Sequence, residues 1–162
     1  MGQEAPQDPS WERAVPSLPG RVLDVVATSP VYGNRLSDAY NAQDPSKRHS
    51  YTFDLGRKLH PDNIGATYFW QPDYKLFYEK AWTEVRRVLK PRGLFVLNIS
   101  NCIHDGVEQP VTEWHTAEIL SLGFDFEDSL SINTPRMRHG QNGEARVEGE
   151  WVLSFRRGST DS

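Results

Sequence analysis

Apolar residues along the chain form short continuous runs and one stripe of helical spacing. The run at 21–28, RVLDVVAT, is rich in valine and bounded by Gly20 and Pro30. This pattern predicts a strand buried on both faces, as in a parallel sheet. The run GLFVLNIS at 93–100 predicts a second strand. Between the two runs, apolar side chains recur every three or four residues over 74–89, which indicates a helix with one buried face.

The sequence also marks the ends of this helix. Asp73 follows Pro72 and can serve as the N-cap, because a short carboxylate accepts hydrogen bonds from the first free N–H groups. At the other end, Lys90, Pro91 and Gly93 supply a cation and two helix breakers. A helix is therefore expected between these two groups of residues.

The C-terminal third predicts a second helix at 111–122, closed by Gly123, and then two strands at 124–132 and 150–157. The order is strand, long loop, helix, strand, helix, strand, strand. A strand–helix–strand unit crosses over with right-handed, parallel strands, whereas the last two strands form an antiparallel hairpin. The sequence therefore predicts an open α/β sheet, mostly parallel, in which one strand runs against the others.

Composition sets the limits of this domain. The chain has 162 residues, enough for one domain with a core. Residues 1–17 are predicted to be a flexible N-terminal segment, 18–157 the folded domain and 158–162 a tail. The formal net charge of −4 argues against a protein held on nucleic acid by bulk charge, although a local basic strip is compatible with it.

Several kinds of site are not expected from this sequence. Cys102 is its one cysteine, so neither an internal disulfide nor a cysteine-built metal centre is predicted. The five histidines do not have metal-ligand spacing, so no metal is expected. No apolar run approaches the roughly 18 residues of a membrane span, and no signal-peptide core follows Met1. A cytoplasmic protein without a membrane partner is the expectation.

Two polar clusters follow the first two predicted strands. TSPVY comes at the end of the strand at 21–28, and NISN at 98–101 closes the second. In an open α/β sheet, ligands bind beyond the carboxyl ends of the strands. Both clusters are therefore expected at one rim of the sheet. Taken alone, Ser-Pro after a strand favours a simple turn.

The segment DVVATSPVYGNR at 24–35 resembles the catalytic motif of the S-adenosylmethionine-dependent DNA amino-methyltransferases, of the cytosine-N4 and adenine-N6 type. That motif is a strand ending in Ser/Asp/Asn-Pro-Pro-Tyr/Phe. YEKAWTEVRRVLKPRGLFVLNI resembles the helix and strand that follow it, and the segment 132–157 is similar to the closing hairpin. The match runs in order from about Leu18 to Arg157. It implies part of a Rossmann-like methyltransferase sheet with helices on its faces.

The resemblance also implies roles for individual residues. Ser29 and the carbonyl oxygen of Pro30 would accept hydrogen bonds from the target amine, and Tyr32 would stack on a base swung out of the duplex. S-adenosylmethionine would be the cofactor and DNA the substrate. The residues expected to contact DNA are Asn34, Arg35, Arg136 and Arg138.

Each of these assignments has a simpler alternative. Tyr32 could pack on the long loop, and the four DNA-contact candidates could be loop caps and solvated surface charges. Methyltransferases acting on RNA, protein or small molecules share this sheet, so the fold alone does not fix the substrate.

Two departures from the family pattern qualify the resemblance. Val31 stands where the family has a second proline, and the glycine-bearing loop Phe-x-Gly-x-Gly that grips the cofactor is absent, so no cofactor-binding residue is assigned. The chain resembles only the catalytic half, with about four of the seven strands of the family sheet. One edge of the strand at 21–28 should then be open, and a second polypeptide or a second copy is expected to cover it. The alternative function is a truncated or degenerate relative that binds DNA or a partner subunit without activity of its own.

Overall fold

The structure is a computed structural model, and it describes residues 18–31, 63–66, 70–104, 107–134, 147 and 149–159. Six strands and two α-helices lie in these ranges, with a short 3-10 helix at Ile64–Ala66. In chain order the elements are β1 (Leu23–Thr28), α1 (Pro72–Val88), β2 (Leu89–Ile99), β3 (Cys102–His104), β4 (Val107–Gln109), α2 (Val111–Ser121), β5 (Phe124–Asn133) and β6 (Gly149–Arg157).

Four strands form the main sheet, in the order β1-β2-β6-β5. β1 is parallel to β2, whereas β6 is antiparallel to both of its neighbours. Three strands therefore point one way and β6 points the other. This arrangement confirms the mostly parallel sheet with a closing antiparallel hairpin. The short strands β3 and β4 form a separate two-stranded ladder just before α2.

The core lies on one face of this sheet. Phe95 pairs with Phe155 and Leu97 with Leu153 across β2 and β6, and all four side chains are buried. The Trp82 ring of α1 lies 5.2 Å from the Phe95 ring. α2 joins the same core, because its buried residues pack in one cluster with those of α1 and β2. Both described helices thus cover the same face.

The burial expected for β1 on both faces is wrong. The Val25 side chain is 52% exposed, and Ala27 is exposed on the same face. Val26, which pairs with Phe95 and turns towards the helices, is partly buried. β1 is an edge strand among the described residues, with β2 as its neighbour, and the described helices pack on its other face. A valine-rich composition is compatible with one buried face or with two, and the elements that pack on each face decide between them.

The start of α1 differs from the prediction. The N-cap is Gln71, whose side chain makes no capping hydrogen bond, and Pro72 occupies the first turn. Proline fits there because its missing N–H has no partner in the first turn anyway. Asp73 is therefore not the N-cap, and it lies inside the first turn, where a carboxylate favours the positive end of the helix dipole.

The end of α1 leads directly into β2. The helix ends at Val88, and Lys90, which was expected to stabilise the helix end, instead places Nζ 2.7 Å from Asp24 of β1. The backbone then turns tightly, with Arg92 at φ 64° and a shift in the β1–β2 register. A Cβ on Gly93 would lie 2.8 Å from the Lys90 carbonyl oxygen, so only glycine fits without movement.

The C-terminal elements agree with their predictions. α2 spans Val111–Ser121, and Gly123 follows it with φ 80°, a left-handed conformation that favours glycine. Within the described ranges, no helix is both long and apolar enough to cross a membrane. The same ranges contain no cluster of three or more His, Cys, Asp or Glu side chains suited to a metal ion.

Candidate functional site

The segment 29–31 leaves the sheet at the carboxyl end of β1. Ser29 is exposed and Pro30 is buried. Because β1 and β2 are parallel, with Thr28 opposite Leu97, the carboxyl end of β2 lies beside the segment 29–31. The structure thus brings the two polar clusters to the same rim, where ligands bind in sheets of this kind.

The first two residues of this segment both offer hydrogen-bond acceptors, and the second, Pro30, has no backbone donor. Proline has no N–H, and its ring fixes φ near −65°. A serine hydroxyl can accept as well as donate. An exposed serine beside the carbonyl of a residue without an N–H is suited to a small donor such as an amine.

Tyr78 of α1 holds the third residue of the segment. Its hydroxyl donates a 2.7 Å hydrogen bond to the Val31 carbonyl oxygen, although the two residues lie 47 positions apart. This contact was not predicted from the sequence, because the spacing of Tyr78 in the apolar stripe indicates only that the side chain is buried. A usable signal was present, since a buried tyrosine hydroxyl usually has a hydrogen-bond partner.

A cluster of aromatic residues around His115 lies behind Tyr78. His115 is fully buried in α2, and its Nδ1 accepts a 3.0 Å hydrogen bond from the Trp82 indole N–H. The indole can only donate, so the proton of the neutral ring sits on Nε2, 3.2 Å from the Tyr74 hydroxyl. Burial lowers the pKa of His115 to about 3. The imidazole is therefore a neutral structural link between the two helices at physiological pH.

The polar residues at the end of β2 and just after it serve mainly to close the strand and start α2. The Asn101 side-chain oxygen accepts a 2.8 Å hydrogen bond from the Thr112 N–H, and its amide donates to Glu108 at 2.9 Å. The Asn98 amide lies 3.4 Å from a Glu150 carboxylate oxygen. Asn101 thus satisfies a free donor in the first turn of α2, which is a structural role.

A cavity of about 540 Å³ lies at the opposite end of the strands, away from Ser29. It is lined by Arg21, which precedes β1, and by Arg86 and Arg157 at the ends of α1 and β6. Burial and then the charges of Arg86 and Arg21 lower the pKa of Arg157. This basic cavity lies at the amino end of β1, so it cannot share a ligand with Ser29 at the carboxyl end.

The remaining candidate site residues lie outside the described residues. They are Tyr32, Asn34, Arg35, Arg136 and Arg138. Residues 135–146 and 148, between the last two strands, lie outside them as well. Of the predicted catalytic set, Ser29 and Pro30 are therefore the members with a described position.

No protein-family model and no curated protein sequence matches the chain. Solved structures do resemble it. A candidate DNA modification methylase from Thermus thermophilus, complexed with S-adenosyl-L-methionine, matches over 90% of this chain and 50% of its own, at 17% identity and a TM-score of 0.55. PvuII DNA methyltransferase, cytosine-N4-specific, matches over 88% of this chain and 45% of its own, at 14% identity and a TM-score of 0.51.

These similarities define the class of fold. The chain has an α/β fold of the methyltransferase kind. More narrowly, its fold resembles that of DNA methyltransferases. The chain spans about half the length of those two proteins.

The described residues do not by themselves fit S-adenosylmethionine. The sequence lacks the glycine-bearing loop of the DNA amino-methyltransferases, and the Asn101 side chain beyond the carboxyl end of β2 is already engaged with Thr112, Glu108 and Glu113. The basic cavity lies at the amino end of β1, at the opposite end of the strands. A site for this cofactor therefore needs groups beyond those that the structure describes.

Proposed function

We propose that this chain supplies the amine-accepting half of a DNA methyltransferase. The reaction is the transfer of a methyl group from S-adenosylmethionine to the exocyclic amino group of cytosine or adenine. One observation carries the proposal: exposed Ser29 and buried Pro30 leave β1 at its carboxyl end, beside the end of β2. They do so in a sheet whose reversed strand, β6, matches the pattern expected for this class.

The chemistry of the acceptor explains these residue types. The amine nitrogen gains a methyl group and loses a proton, and positive charge develops on it in the transition state. Acceptors aimed at its two N–H bonds both orient the nitrogen lone pair and disperse that charge. In this proposal the Ser29 hydroxyl and the Pro30 carbonyl oxygen are the two acceptors.

DNA is the proposed substrate. A base inside a duplex cannot reach these acceptors, so the target nucleotide has to be extruded and held by stacking, the role proposed for Tyr32. Phosphate contacts position a duplex without reading its sequence. Contacts of that kind are proposed for Asn34, Arg35, Arg136 and Arg138.

We further propose that a second polypeptide pairs with the outer edge of β1 and completes the cofactor site. An edge strand with apolar side chains is prone to pair with another chain. Val25 beside this edge is 52% exposed, and the described residues do not fit the cofactor. Light scattering should therefore show association of the isolated chain, and a stable monodisperse monomer would count against this partner. A defined dimer would identify the partner as a second copy.

Paired lysine substitutions make this test specific. Val25→Lys places a charge on the exposed face of β1 and should reduce association. Leu76→Lys is the matched control, because Leu76 is a similarly exposed apolar side chain on α1. Equal effects of the two variants would contradict a partner on β1.

Transfer of a labelled methyl group from S-adenosylmethionine to DNA tests the function directly. Wild-type protein associated with the proposed partner should transfer the label, and Ser29→Ala in the same assembly should not. Ser121→Ala, an exposed serine at the end of α2, should behave as wild type. Calorimetry with S-adenosylmethionine, alone and with DNA, supplies a second readout. If no cofactor binds in either case, the isolated chain is not an independent enzyme. DNA binding without transfer would favour a relative that has lost its activity.

A further inference from the structure

We infer that Tyr78 is a positioning residue for residues 29–31, here called the acceptor segment. By binding the Val31 carbonyl, Tyr78 fixes the direction of the preceding carbonyl, that of Pro30. The inference rests on the proposed function. It assigns a role to a residue of α1 that lies far from the motif in sequence. The contact behind it is the 2.7 Å hydrogen bond from the Tyr78 hydroxyl to the Val31 carbonyl oxygen.

Tyr78 itself is held rigidly. Its side chain is 4% exposed. The ring centroid lies 4.9 Å from that of Tyr74, 5.2 Å from Trp82 and 5.0 Å from His115. Close packing on several sides leaves a buried side chain a single rotamer, and a tyrosine ring then places its hydroxyl at a fixed point. The hydroxyl is thus anchored by the helix pair and not by the loop it contacts.

The acceptor segment needs such an anchor at Val31. The ring of Pro30 fixes its own φ, but Val31 has no ring and its φ is free to vary. A change in the φ of Val31 or in the ψ of Pro30 turns the peptide group that carries the Pro30 carbonyl. The Val31 side chain is 45% exposed, so its packing contributes little restraint. The peptide group between Pro30 and Val31 is thus restrained on one side by the ring of Pro30 and on the other by the bond from Tyr78 to the Val31 carbonyl.

One NMR signal reports this contact. The Val31–Tyr32 pair is the only place in the sequence where tyrosine follows valine. Protein labelled with carbonyl-¹³C valine and ¹⁵N tyrosine therefore gives one carbonyl–nitrogen correlation, which reads the Val31 carbonyl. Tyr78→Phe removes the hydroxyl and keeps the ring, and it should move this carbonyl signal upfield. The other tyrosine amides in the same sample show whether the variant is folded.

Tyr74→Phe is the matched control. Tyr74 is also buried on α1, one turn earlier, but its hydroxyl faces His115. This variant should lose stability and leave the Val31 carbonyl signal in place. An unchanged signal in Tyr78→Phe, or an equal shift in Tyr74→Phe, would overturn the inference whatever the activity of the protein.

The kinetic measurement distinguishes positioning from a purely structural role. Loss of one hydrogen bond that orients an acceptor should lower kcat for methyl transfer by about tenfold and leave KM for DNA unchanged. A shifted carbonyl signal with an unchanged kcat would show a contact without a positioning role, and so contradict the inference. If wild-type protein associated with the proposed partner transfers no methyl group, the proposed function is overturned, and the catalytic role of the contact with it. The carbonyl signal still decides whether Tyr78 holds the loop.

Discussion

Mild acid should destabilise this protein through His115. In the folded state the ring is fully buried and its pKa is lowered to about 3, against an ordinary value of 6.5. Protonation would put a second N–H on Nδ1, which faces the indole N–H of Trp82 at 3.0 Å. Two donors would then point at each other inside the core. The folded state therefore resists protonation, whereas the unfolded chain protonates its histidines freely.

The sign and size of the effect follow from proton linkage. Between pH 6.5 and pH 3 the unfolded state binds one more proton at this residue than the folded state. The free energy of unfolding is therefore fully retained above pH 6.5, and it falls as the pH drops, by about 1.4 kcal/mol per unit. Lowering the pH from about 7 to about 5 should cost about 2 kcal/mol, a large part of the stability of a small domain.

Urea unfolding followed by tryptophan fluorescence measures this loss. His115→Gln serves as the reference, because glutamine keeps a donor and an acceptor but does not titrate. The variant should be less stable than wild type at about pH 7, and the difference should shrink by about 2 kcal/mol by about pH 5. Contributions from the other histidines and from the carboxylates cancel in this difference. A difference that stays constant over this pH range would refute a neutral His115 in the core.

Three further substitutions test other parts of the structure. Gly93→Ala should destabilise the fold by about 1–3 kcal/mol in urea unfolding, because its Cβ would meet the Lys90 carbonyl oxygen at 2.8 Å, and an unchanged midpoint would contradict the tight turn. Asn101→Ala should cost about 1 kcal/mol through the lost hydrogen bond to the Thr112 N–H, whereas Asn133→Ala, at the exposed end of β5, should cost much less. Val31→Pro should raise the methyl-transfer rate, because the ring fixes a second φ beside Pro30 and keeps the carbonyl that Tyr78 binds; a slower variant would count against the geometry proposed for the segment.

The parts of the fold that depend on local pattern were predictable. The helix expected at 111–122 spans Val111–Ser121, and the strand expected at 150–157 spans Gly149–Arg157. In both cases the period of apolar residues and a flanking glycine carry the information within a few residues. The shared rim of the two polar clusters was also predictable, because it follows from parallel strands alone.

The contacts that define the site were not predictable in the same way. Tyr78 and Val31 are 47 positions apart, and Trp82 and His115 are 33 apart. A helical stripe identifies such residues as buried, but it does not tell which polar atoms of two buried stripes will meet. The exposure of β1 has the same origin, since the sequence of a strand does not state which elements pack on its two faces.

The acceptor segment is restrained on the side that faces β2 and α1. β1 is hydrogen-bonded to β2, and Tyr78 reaches the segment from α1. Next to it, the end of β2 is tied to α2 through Asn101. Ser29 is left exposed beyond the end of β1, and Val25 is exposed on the face that the described helices do not cover. Under the proposed function, contacts from β2 and α1 thus hold the amine acceptors in place. The methyl donor would then approach from the side of the outer edge of β1, where the proposed partner would place it.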